Sequence, residues 1–495
     1  MKDSTNELNP IVEPKSECHA GSDSEASESR DANIVDWDGP HDAENPMNWG
    51  LGKVVVSLSI VCVVTFLSSL ASSIFAPGIP QVLEDFKSTS SELGSFIVTV
   101  YVIGYVFGPL LIAPLSEIYG RSPLYLSCLG LFVVFNVACA LAPSLPALVA
   151  FRLFAGLGGS APLALSVGTI ADIIAYKNRG KVAAVWNVGP MLGPIIGPIA
   201  GGYLIEAKGW RWSFWLVAIA SGAVFIFSLF FLRETYAYAI LNRRVSRLRK
   251  QTGNPYLRSA LYQGGSAIEK LKKAIIRPTK MLTCSPTILL ISFIMFLFYG
   301  YFYLLFTAMP VFLQAEYGFS TGSIGLTYIG PGVGSFVALL ISGSISDRLA
   351  RRMTKPGTAP KPEYRVPLLV AASFIVPIGL FWTGWTAESH QHWILPIIGT
   401  SILSVGVTLA FMSSTTYLID AYTLYAASAI AATTFLRSLG GALLPLAGGP
   451  MFAALGMGWG SSLLAFVAVA VLPMPIILLR YGERIRQKTL FDVKF

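Results

Sequence analysis

Long runs of apolar residues, each followed by a short polar segment, repeat along the chain after residue 53. Each run is close to the ~20 residues with which an α-helix crosses a hydrocarbon core ~30 Å thick. The runs are continuous and lack the alternating pattern of a transmembrane β-strand. The pattern predicts twelve membrane-spanning helices, at 54–76, 94–116, 123–142, 147–172, 181–204, 213–232, 286–313, 322–345, 366–385, 393–417, 425–453 and 459–480.

Polar sequence interrupts this pattern at both ends and once in the middle. Residues 1–50 are rich in Ser, Asp and Glu and lack the apolar core of a cleaved signal peptide, which predicts a disordered acidic cytoplasmic tail. Residues 233–285 predict a basic cytoplasmic connecting loop, and residues 481–495 a short basic cytoplasmic tail. The chain is thereby divided into a six-helix bundle over 51–232 and a second one over 286–480.

Composition supports a polytopic membrane protein. Of the 495 residues, 54% are hydrophobic and 13% are charged, whereas soluble proteins carry about 25% charged residues. These values exclude a soluble enzyme and a disordered scaffold. The net charge of +9 comes from bases that lie between apolar spans, so it predicts contact with a lipid bilayer and no nucleic-acid partner. The five cysteines have no metal-like spacing, so we expect neither a metal site nor a cofactor.

Basic residues are distributed very unevenly between the predicted loops. With the N-terminal tail in the cytoplasm, the inside loops and the C-terminus hold 27 Lys and Arg residues, and the outside loops hold three. Basic residues favour the cytoplasmic side. The distribution predicts that both termini are cytoplasmic.

The two halves of the chain repeat one another. After the second span, Glu117 is followed four residues later by Arg121, and after the eighth span Asp347 is followed four residues later by Arg351. Two equivalent six-helix halves are typical of a transporter that binds its substrate between them.

These motifs resemble those of the major facilitator superfamily and, within it, the fungal twelve-span drug:proton antiporters. The segment after the second span is similar to the superfamily motif G-x-L-x-D-R-x-G-R-R, with Ala113, Glu117 and Ile118 among its departures. The resemblance implies an all-α membrane fold of two pseudo-symmetric bundles that exports amphipathic organic molecules, such as drugs, toxins or secondary metabolites, in exchange for protons. It also implies a monomer in the plasma membrane, with the vacuolar membrane as an alternative.

The two loop motifs are expected to act as a conformational latch at the cytoplasmic ends of the bundles. A carboxylate there can pair with a nearby arginine, and such contacts would break when the carrier opens inward. The alternative is a solvated ion pair without a conformational role. The latch residues are Glu117, Gly120, Arg121, Asp347, Arg348 and Arg351.

The fifth span carries glycines and prolines that resemble the antiporter signature G-x8-G-x3-G-P-x2-G-G. Small residues every fourth position form a smooth helix face, and prolines allow a bend. We expect a bend between the halves that favours exchange, and tight packing alone is the alternative. The residues are Gly193, Pro194, Gly197, Pro198, Gly201 and Gly202.

Two charged residues of the fourth span are candidates for proton coupling. Arg152 lies within the span and resembles an Arg-x3-Gly motif that the family uses in coupling. Asp172 lies at its cytoplasmic end, about 30 Å away along the helix, so the two cannot pair directly. For Asp172 the alternative is a helix cap that faces Lys177 and Arg179.

The substrate cavity is expected to be aromatic, with few charges. Such a surface suits amphipathic organic molecules that are cationic or neutral. The candidate substrate-binding residues are Tyr101, Tyr105, Asn187, Tyr299, Tyr303, Phe306, Met412, Tyr417 and Arg437. A proton-coupled uptake carrier, a polyamine exporter and a transporter-like nutrient receptor remain alternatives. No catalytic residues are expected, because all four histidines lie in tails or in a predicted outside loop.

Overall fold

A computed structural model describes residues 33–88, 90–262, 267–354, 361–422 and 426–492. Most of this part is helical, which confirms the all-α class. The helices are α1 (Leu51–Ser73), α2 (Ile79–Asp85), α3 (Ser91–Tyr119), α4 (Arg121–Ala140), α5 (Leu145–Gly159), α6 (Ala161–Ile173), α7 (Tyr176–Lys208), α8 (Arg211–Phe231), α9 (Ala237–Thr252), α10 (Ala267–Cys284), α11 (Pro286–Tyr317), α12 (Thr321–Thr327), α13 (Ile329–Met353), α14 (Val366–Glu388), α15 (Ile394–Ala421), α16 (Ala426–Val471) and α17 (Pro473–Asp492).

Two predicted spans are divided into shorter helices. The span predicted at 147–172 consists of α5 and α6, which meet at Ser160. Pro162 lies in the first turn of α6, where a proline needs no hydrogen-bond acceptor for its missing N–H group. The span predicted at 322–345 likewise consists of α12 and α13, which meet at Tyr328.

Eleven helical segments within the described residues are long and apolar enough to cross a membrane, where the sequence predicts twelve. The last segment, Ser428–Arg486, has 59 residues and is about 88 Å long at 1.5 Å per residue. It is interrupted at Gly456, whose φ of 74° and ψ of 173° are not helical. The Glu388 carboxylate accepts a hydrogen bond from the Gly458 N–H at 3.1 Å, as a cap does at a helix start.

The connecting segment between the halves lies at one end of the bundles, which we name the connecting face. It contains the amphipathic helix α10, which packs against both α3 and α16 and so touches both halves of the chain. The other end, where α1 is followed by α2 and α11 by α12, is named the opposite face.

Part of the predicted N-terminal tail is folded on the connecting face. Strand β1 (Ile34–Val35) pairs in parallel with β2 (Arg258–Ser259). Val35 is buried with Val245 of α9 and with Leu257. The expectation of a disordered tail is therefore wrong for residues 33–50, because a buried valine and charge pairs hold them, and residues 1–32 lie outside the described part.

The apolar core joins the two halves at the opposite face. Ile74 and Phe75 of the first half pack there in one cluster with Phe306, Met309 and Ile324 of the second half. Two further clusters are each built from residues of a single half. Contact between the halves extends beyond the shared cluster, because α3 of the first half also packs against α16 of the second.

Candidate substrate and coupling sites

The guanidinium of Arg152 is buried among main-chain carbonyl groups. Its Nη1 donates to Ala71 O at 2.9 Å and its Nε donates to Ile97 O at 3.0 Å. Its Nη2 lies 3.4 Å from both Ser72 O and Val98 O. The residue is only 1% exposed, yet its charge is solvated by four carbonyl dipoles from α1 and α3.

Local structure explains why carbonyls are available there. Ala71 and Ser72 lie in the last turn of α1, where carbonyl groups have no intrahelical donor. One turn after Arg152, Gly156 lets α5 approach α3 closely, because a Cβ at this position would lie 2.2 Å from Tyr101 O. The Tyr101 ring centroid lies 4.9 Å from the guanidinium carbon. Arg152 therefore joins three helices of the first half.

Asp172 forms an ion pair with Arg121 at the connecting face. Arg121 Nε lies 3.3 Å from Asp172 Oδ2, and the two side chains are 11% and 18% exposed. The Thr235 hydroxyl donates to the same oxygen at 3.4 Å. Arg121 Nη1 donates to the Ser116 hydroxyl, and the Arg121 main-chain N–H donates to Glu234 Oε1 at 2.7 Å. This group of residues, named the first cluster, ties α3, α4, α6 and the end of α8 together.

A matching arrangement exists in the second half. Arg365, directly before α14, lies 3.0 Å from Asp420 at the end of α15. Its Nη1 donates to the Ser346 hydroxyl of α13 at 3.0 Å. This second cluster repeats the Arg–Asp–Ser pattern of the first, with an Asp420 side chain that is 42% exposed. Arg365 stands before α14 as Arg121 does at the start of α4, so an alignment of the two halves would have identified it.

The structure corrects the expected pairing of the loop motifs. Arg121 pairs with Asp172, and the nearby Glu117 is exposed. The reason is that Asp172 arrives at the end of a neighbouring helix, whereas Glu117 points away on the last turn of α3. Arg348 and Arg351 are also exposed, and the Asp347 side chain lies outside the described part of the structure.

Gly120 is required where α3 turns into α4. Its φ of 100° is unfavourable for residues with a Cβ, and a Cβ there would lie 2.2 Å from Glu234 Oε2. The carboxylate of Glu234 can therefore reach the first N–H group of α4. The role of Glu234 as a cap depends on this close approach, which sequence spacing does not reveal.

The glycine face of α7 packs against α1 inside the first bundle. A Cβ at Gly193 would lie 2.5 Å from the Ser69 Cβ, and one at Gly201 would lie 1.9 Å from Ile74 O. Gly197 meets the same helix, whereas Gly202 faces the other half, where a Cβ would lie 2.7 Å from Thr321 O. Pro194 and Pro198 lie within the continuous helix α7. Most of this glycine face therefore packs tightly against α1, which is the arrangement that the packing alternative describes.

Several candidate substrate residues lie inside the bundles. Tyr101 is fully buried and donates to Ser68 O at 2.9 Å, and the Tyr105 hydroxyl lies 2.7 Å from the Ser68 hydroxyl. Tyr417 is 1% exposed in the core of the second half, and Phe306 belongs to the cluster that seals the opposite face. We leave these four aromatic residues out of the proposed substrate site, because none is open to a cavity between the halves.

A different group surrounds Arg437 on α16. The guanidinium carbon lies 4.7 Å from the ring centroid of Tyr299 on α11 and 4.6 Å from that of Phe411 on α15. The ring of Tyr303, one turn after Tyr299, lies 5.0 Å from the Tyr299 ring. Met412 is partly exposed beside Phe411. These residues, named the Arg437 site, lie where three helices of the second half meet.

The remaining candidate, Asn187, is half-buried on α7. Groups of three or more His, Cys, Asp or Glu side chains that could hold a metal ion do not occur among the described residues.

A polar contact links the halves at the opposite face. Glu206, near the end of α7, accepts hydrogen bonds from the Gly322 N–H at 2.7 Å and from the Ser320 hydroxyl at 3.2 Å. Both donors lie at the start of α12, whose free N–H groups favour a negative charge. Sequence patterns do not predict this contact, because the two partners are far apart along the chain.

Comparisons with known proteins agree with one another. The family model of the Major Facilitator Superfamily matches residues 61–445. The chain is 52% identical over 466 residues to the MFS-type transporter penM of Penicillium rubens, with 94% of this chain and 92% of the relative covered. It is 44% identical over 469 residues to the efflux pump radE of Floropilus chiversii, with 94% and 87% covered.

Among solved structures, the xylose transporter XylE from E. coli, in a partially occluded inward open conformation, matches with a TM-score of 0.62 at 14% identity. That match covers 86% of this chain and 99% of the other. A D-xylose-proton symporter matches with a TM-score of 0.64 at 15% identity, over 85% and 97% of the two chains. At such identities these likenesses show the fold.

Proposed function

Since the chain belongs to the major facilitator superfamily, we propose that it exports amphipathic organic molecules in exchange for protons by alternating access. That it is a membrane transporter and no enzyme follows from its family and relatives. The observation that carries alternating access is the apolar core, in which one cluster joins the halves towards the opposite face while each half also has a cluster of its own. A carrier with one closed and one open end exposes its site to one side at a time.

The proposed topology has twelve spans, with the connecting face in the cytoplasm. Gly456 then forms the turn between the last two spans, and the cap from Glu388 supports a new helix start directly after it. The excess of basic residues in loops at the connecting face supports the orientation. In this orientation Glu206 and the apolar cluster close the outside.

Asp172 is the proposed proton carrier. It is largely buried and its charge is balanced by Arg121 at 3.3 Å. Protonation removes the charge that holds the arginine, which also lies 4.9 Å from the Tyr236 ring and can change partners. Because Arg121 is tied to α3, α4 and the end of α8, such a change alters contacts of several helices at once.

Arg152 has a different proposed part in coupling. Its guanidinium is solvated by carbonyl groups, so it positions α1, α3 and α5 and does not pair with a titrating acid in this state. The loop motifs stay a proposed latch: both Arg–Asp pairs lie within single halves here, and closure at the connecting face would bring the clusters of the two halves together.

Export is the proposed direction and the plasma membrane the proposed location, and a relative supports the direction. A related protein is named an efflux pump. A polyamine exporter is less well supported, because polyvalent cations need acids in the site and the spans around Arg437 have acids only at their ends.

Inside-out vesicles that contain the protein test this function. Three probes of similar size are used: pyrenebutanol, a pyrenebutyl-trimethylammonium salt and a pyrenebutanesulfonate. Their charges do not titrate, so an imposed pH gradient cannot redistribute them by itself. We expect an acidic vesicle interior to drive uptake of at least one probe, and Asp172→Asn to abolish this uptake. Protein-dependent uptake that persists after the gradient is collapsed would refute proton exchange, and binding without any transport would favour a receptor.

A further inference from the structure

Arg437 carries a buried hydrogen-bond donor without a partner. Its Nε atom is inaccessible to solvent and has no acceptor among the described residues. Arg437 is the twelfth residue of α16, so it lies about 16 Å along the helix, near the middle of a ~30 Å hydrocarbon core. An arginine at that depth is expensive unless its charge meets a partner or a water-filled cavity.

Acidic side chains of the surrounding elements do not reach this depth. The helices α3, α10, α11, α14 and α15 pack against α16. Every acid of these helices lies within three residues of a helix end; they are Glu92, Glu117, Glu269, Glu316, Glu388 and Asp420. Asp420 follows Phe411, which contacts Arg437, by nine residues, or about 14 Å along α15. It cannot neutralise Arg437 directly.

The two neighbouring helices that contact Arg437, α11 and α15, offer it no helix end with free carbonyl groups. Tyr299 and Phe411 lie in the middle of continuous helices, where each carbonyl accepts an intrahelical bond. What the helices present instead are two aromatic rings at 4.6–4.7 Å from the guanidinium carbon. The π faces of the rings stabilise the positive charge. The rings do not accept hydrogen bonds from the N–H groups, which point outward in the guanidinium plane.

The acceptor that the Arg437 guanidinium lacks indicates which chemical group a ligand must bring to this site. The N–H edge of a guanidinium fits a flat or tetrahedral anionic group, to which it can donate two parallel hydrogen bonds. Tyr299, Phe411 and Met412 beside it provide apolar surface for the rest of the molecule. A small, strongly hydrated inorganic anion would gain nothing from that surface, and a cation would be repelled by the guanidinium.

We propose that Arg437 binds the anionic group of the substrate, and that this transporter carries amphipathic organic anions, such as aromatic carboxylates or acidic enols. The proposal rests on the proposed function and narrows its substrate class. It replaces the expectation of cationic or neutral substrates, which came from counting aromatic residues without knowing which of them face Arg437.

Binding to the purified full-length protein tests the charge preference without transport. The three pyrene probes are titrated in detergent, with quenching of tryptophan fluorescence as the readout. We expect the sulfonate to bind at least about tenfold more tightly than the alcohol, as a charge-assisted hydrogen bond provides, and the ammonium probe to bind most weakly. Equal affinity for the sulfonate and the alcohol would overturn the proposal, and so would complete competition by equimolar sodium chloride.

Variants of Arg437 link the preference to this residue. Arg437→Gln removes the charge but keeps a polar side chain, and is expected to weaken sulfonate binding about 10- to 100-fold, with little change for the alcohol. Arg437→Glu is expected to reverse the order, so that the ammonium probe binds best. Lys250→Gln, an exposed basic residue of α9, is the matched control. Variants that elute as monodisperse protein with unchanged probe order would contradict the assignment.

The two proposals fail in different ways. If no probe is moved by the pH gradient while the sulfonate still binds through Arg437, exchange is wrong and the anion site stands. If the probes are moved by the gradient without preference for the anion, the transporter stands and the anion site is wrong.

Discussion

Arg152 and Arg437 are both arginines deep within membrane-spanning helices, yet their surroundings differ completely. Arg152 donates to carbonyl groups of two helices, whereas Arg437 faces two aromatic rings and keeps a buried Nε without an acceptor. The difference follows from where neighbouring helices end. The last turn of α1 offers free carbonyls to Arg152, and the helices around Arg437 pass it without interruption. A buried charge with its own internal partners stabilises the fold, and one without them indicates a ligand.

The largest expected effect is the loss of folded protein in Arg152→Ala. Removing the guanidinium leaves the carbonyls of Ala71 and Ser72, in the last turn of α1, without their donor, at about 1–3 kcal/mol for each buried group. We expect a marked fall in the thermal midpoint, measured by size-exclusion chromatography of heated samples. Arg437→Ala should leave the midpoint nearly unchanged, and a larger fall for this variant would break the comparison.

Asp172→Asn extends the comparison to Arg121, an arginine with a carboxylate partner. We expect gradient-driven export to fall at least tenfold, because an amide cannot carry the proton, while sulfonate binding changes less than twofold. Asp420→Asn in the second cluster is the matched control, since its side chain is 42% exposed. An equal loss of export in both variants would show that the clusters act only through structure.

Tyr299→Leu sharpens the description of the Arg437 site. A ring over a guanidinium contributes about 0.5–2 kcal/mol. Its loss should weaken sulfonate binding a few-fold and leave protein yield unchanged. Phe293→Leu, an exposed position on the same helix, is the control. The affinity of each variant for the sulfonate probe is measured by titration. Equal affinities for the two variants would show that the Tyr299 ring does not contribute to anion binding at Arg437.

The smallest effect is expected for Arg244, an arginine outside the membrane that pairs with Asp42 at 2.8 Å. Hydrogen bonds from the N–H groups of Asp38 and Glu44, with Arg244, hold the pKa of Asp42 below its usual 3.8. A lowered pKa means that this contribution is present above about pH 4 and is lost as the pH falls through the folded-state value. The hydrogen-exchange protection of residues 33–48, corrected for the intrinsic exchange rate at each pH, should fall modestly at pH 3 and, for Asp42→Asn, at pH 7.

Much of the helical plan could be predicted, because a membrane allows few structures and apolar runs of the right length stand out. The break at Ser160 could not be predicted, since small apolar residues continue the pattern across it, whereas the break at Gly456 lies in the gap between the spans predicted at 425–453 and 459–480. Arg437 could be identified as a candidate site residue from the sequence, because it lies far from both ends of a predicted span. The sequence predicts Tyr101 and Tyr417 as cavity residues. This prediction is unreliable in a helix that is apolar on all sides, because its sequence does not reveal which face is turned towards the cavity. The ion pair between Arg121 and Asp172 depends on tertiary packing. The sequence pattern instead favours Glu117 as the partner of Arg121, because Glu117 is nearer along the chain.

The parallel pairing of β1 with β2 has a consequence for biogenesis. Ile34 and Arg258 are separated along the chain by the whole first bundle, so the strand at residues 34–35 emerges from the ribosome long before its partner does. Asp38 and Asp42 likewise wait for Arg244. A nascent polypeptide that stalls before α9 therefore displays this segment unpaired, and only a polypeptide whose first six spans have been translated can hide it from quality-control proteases.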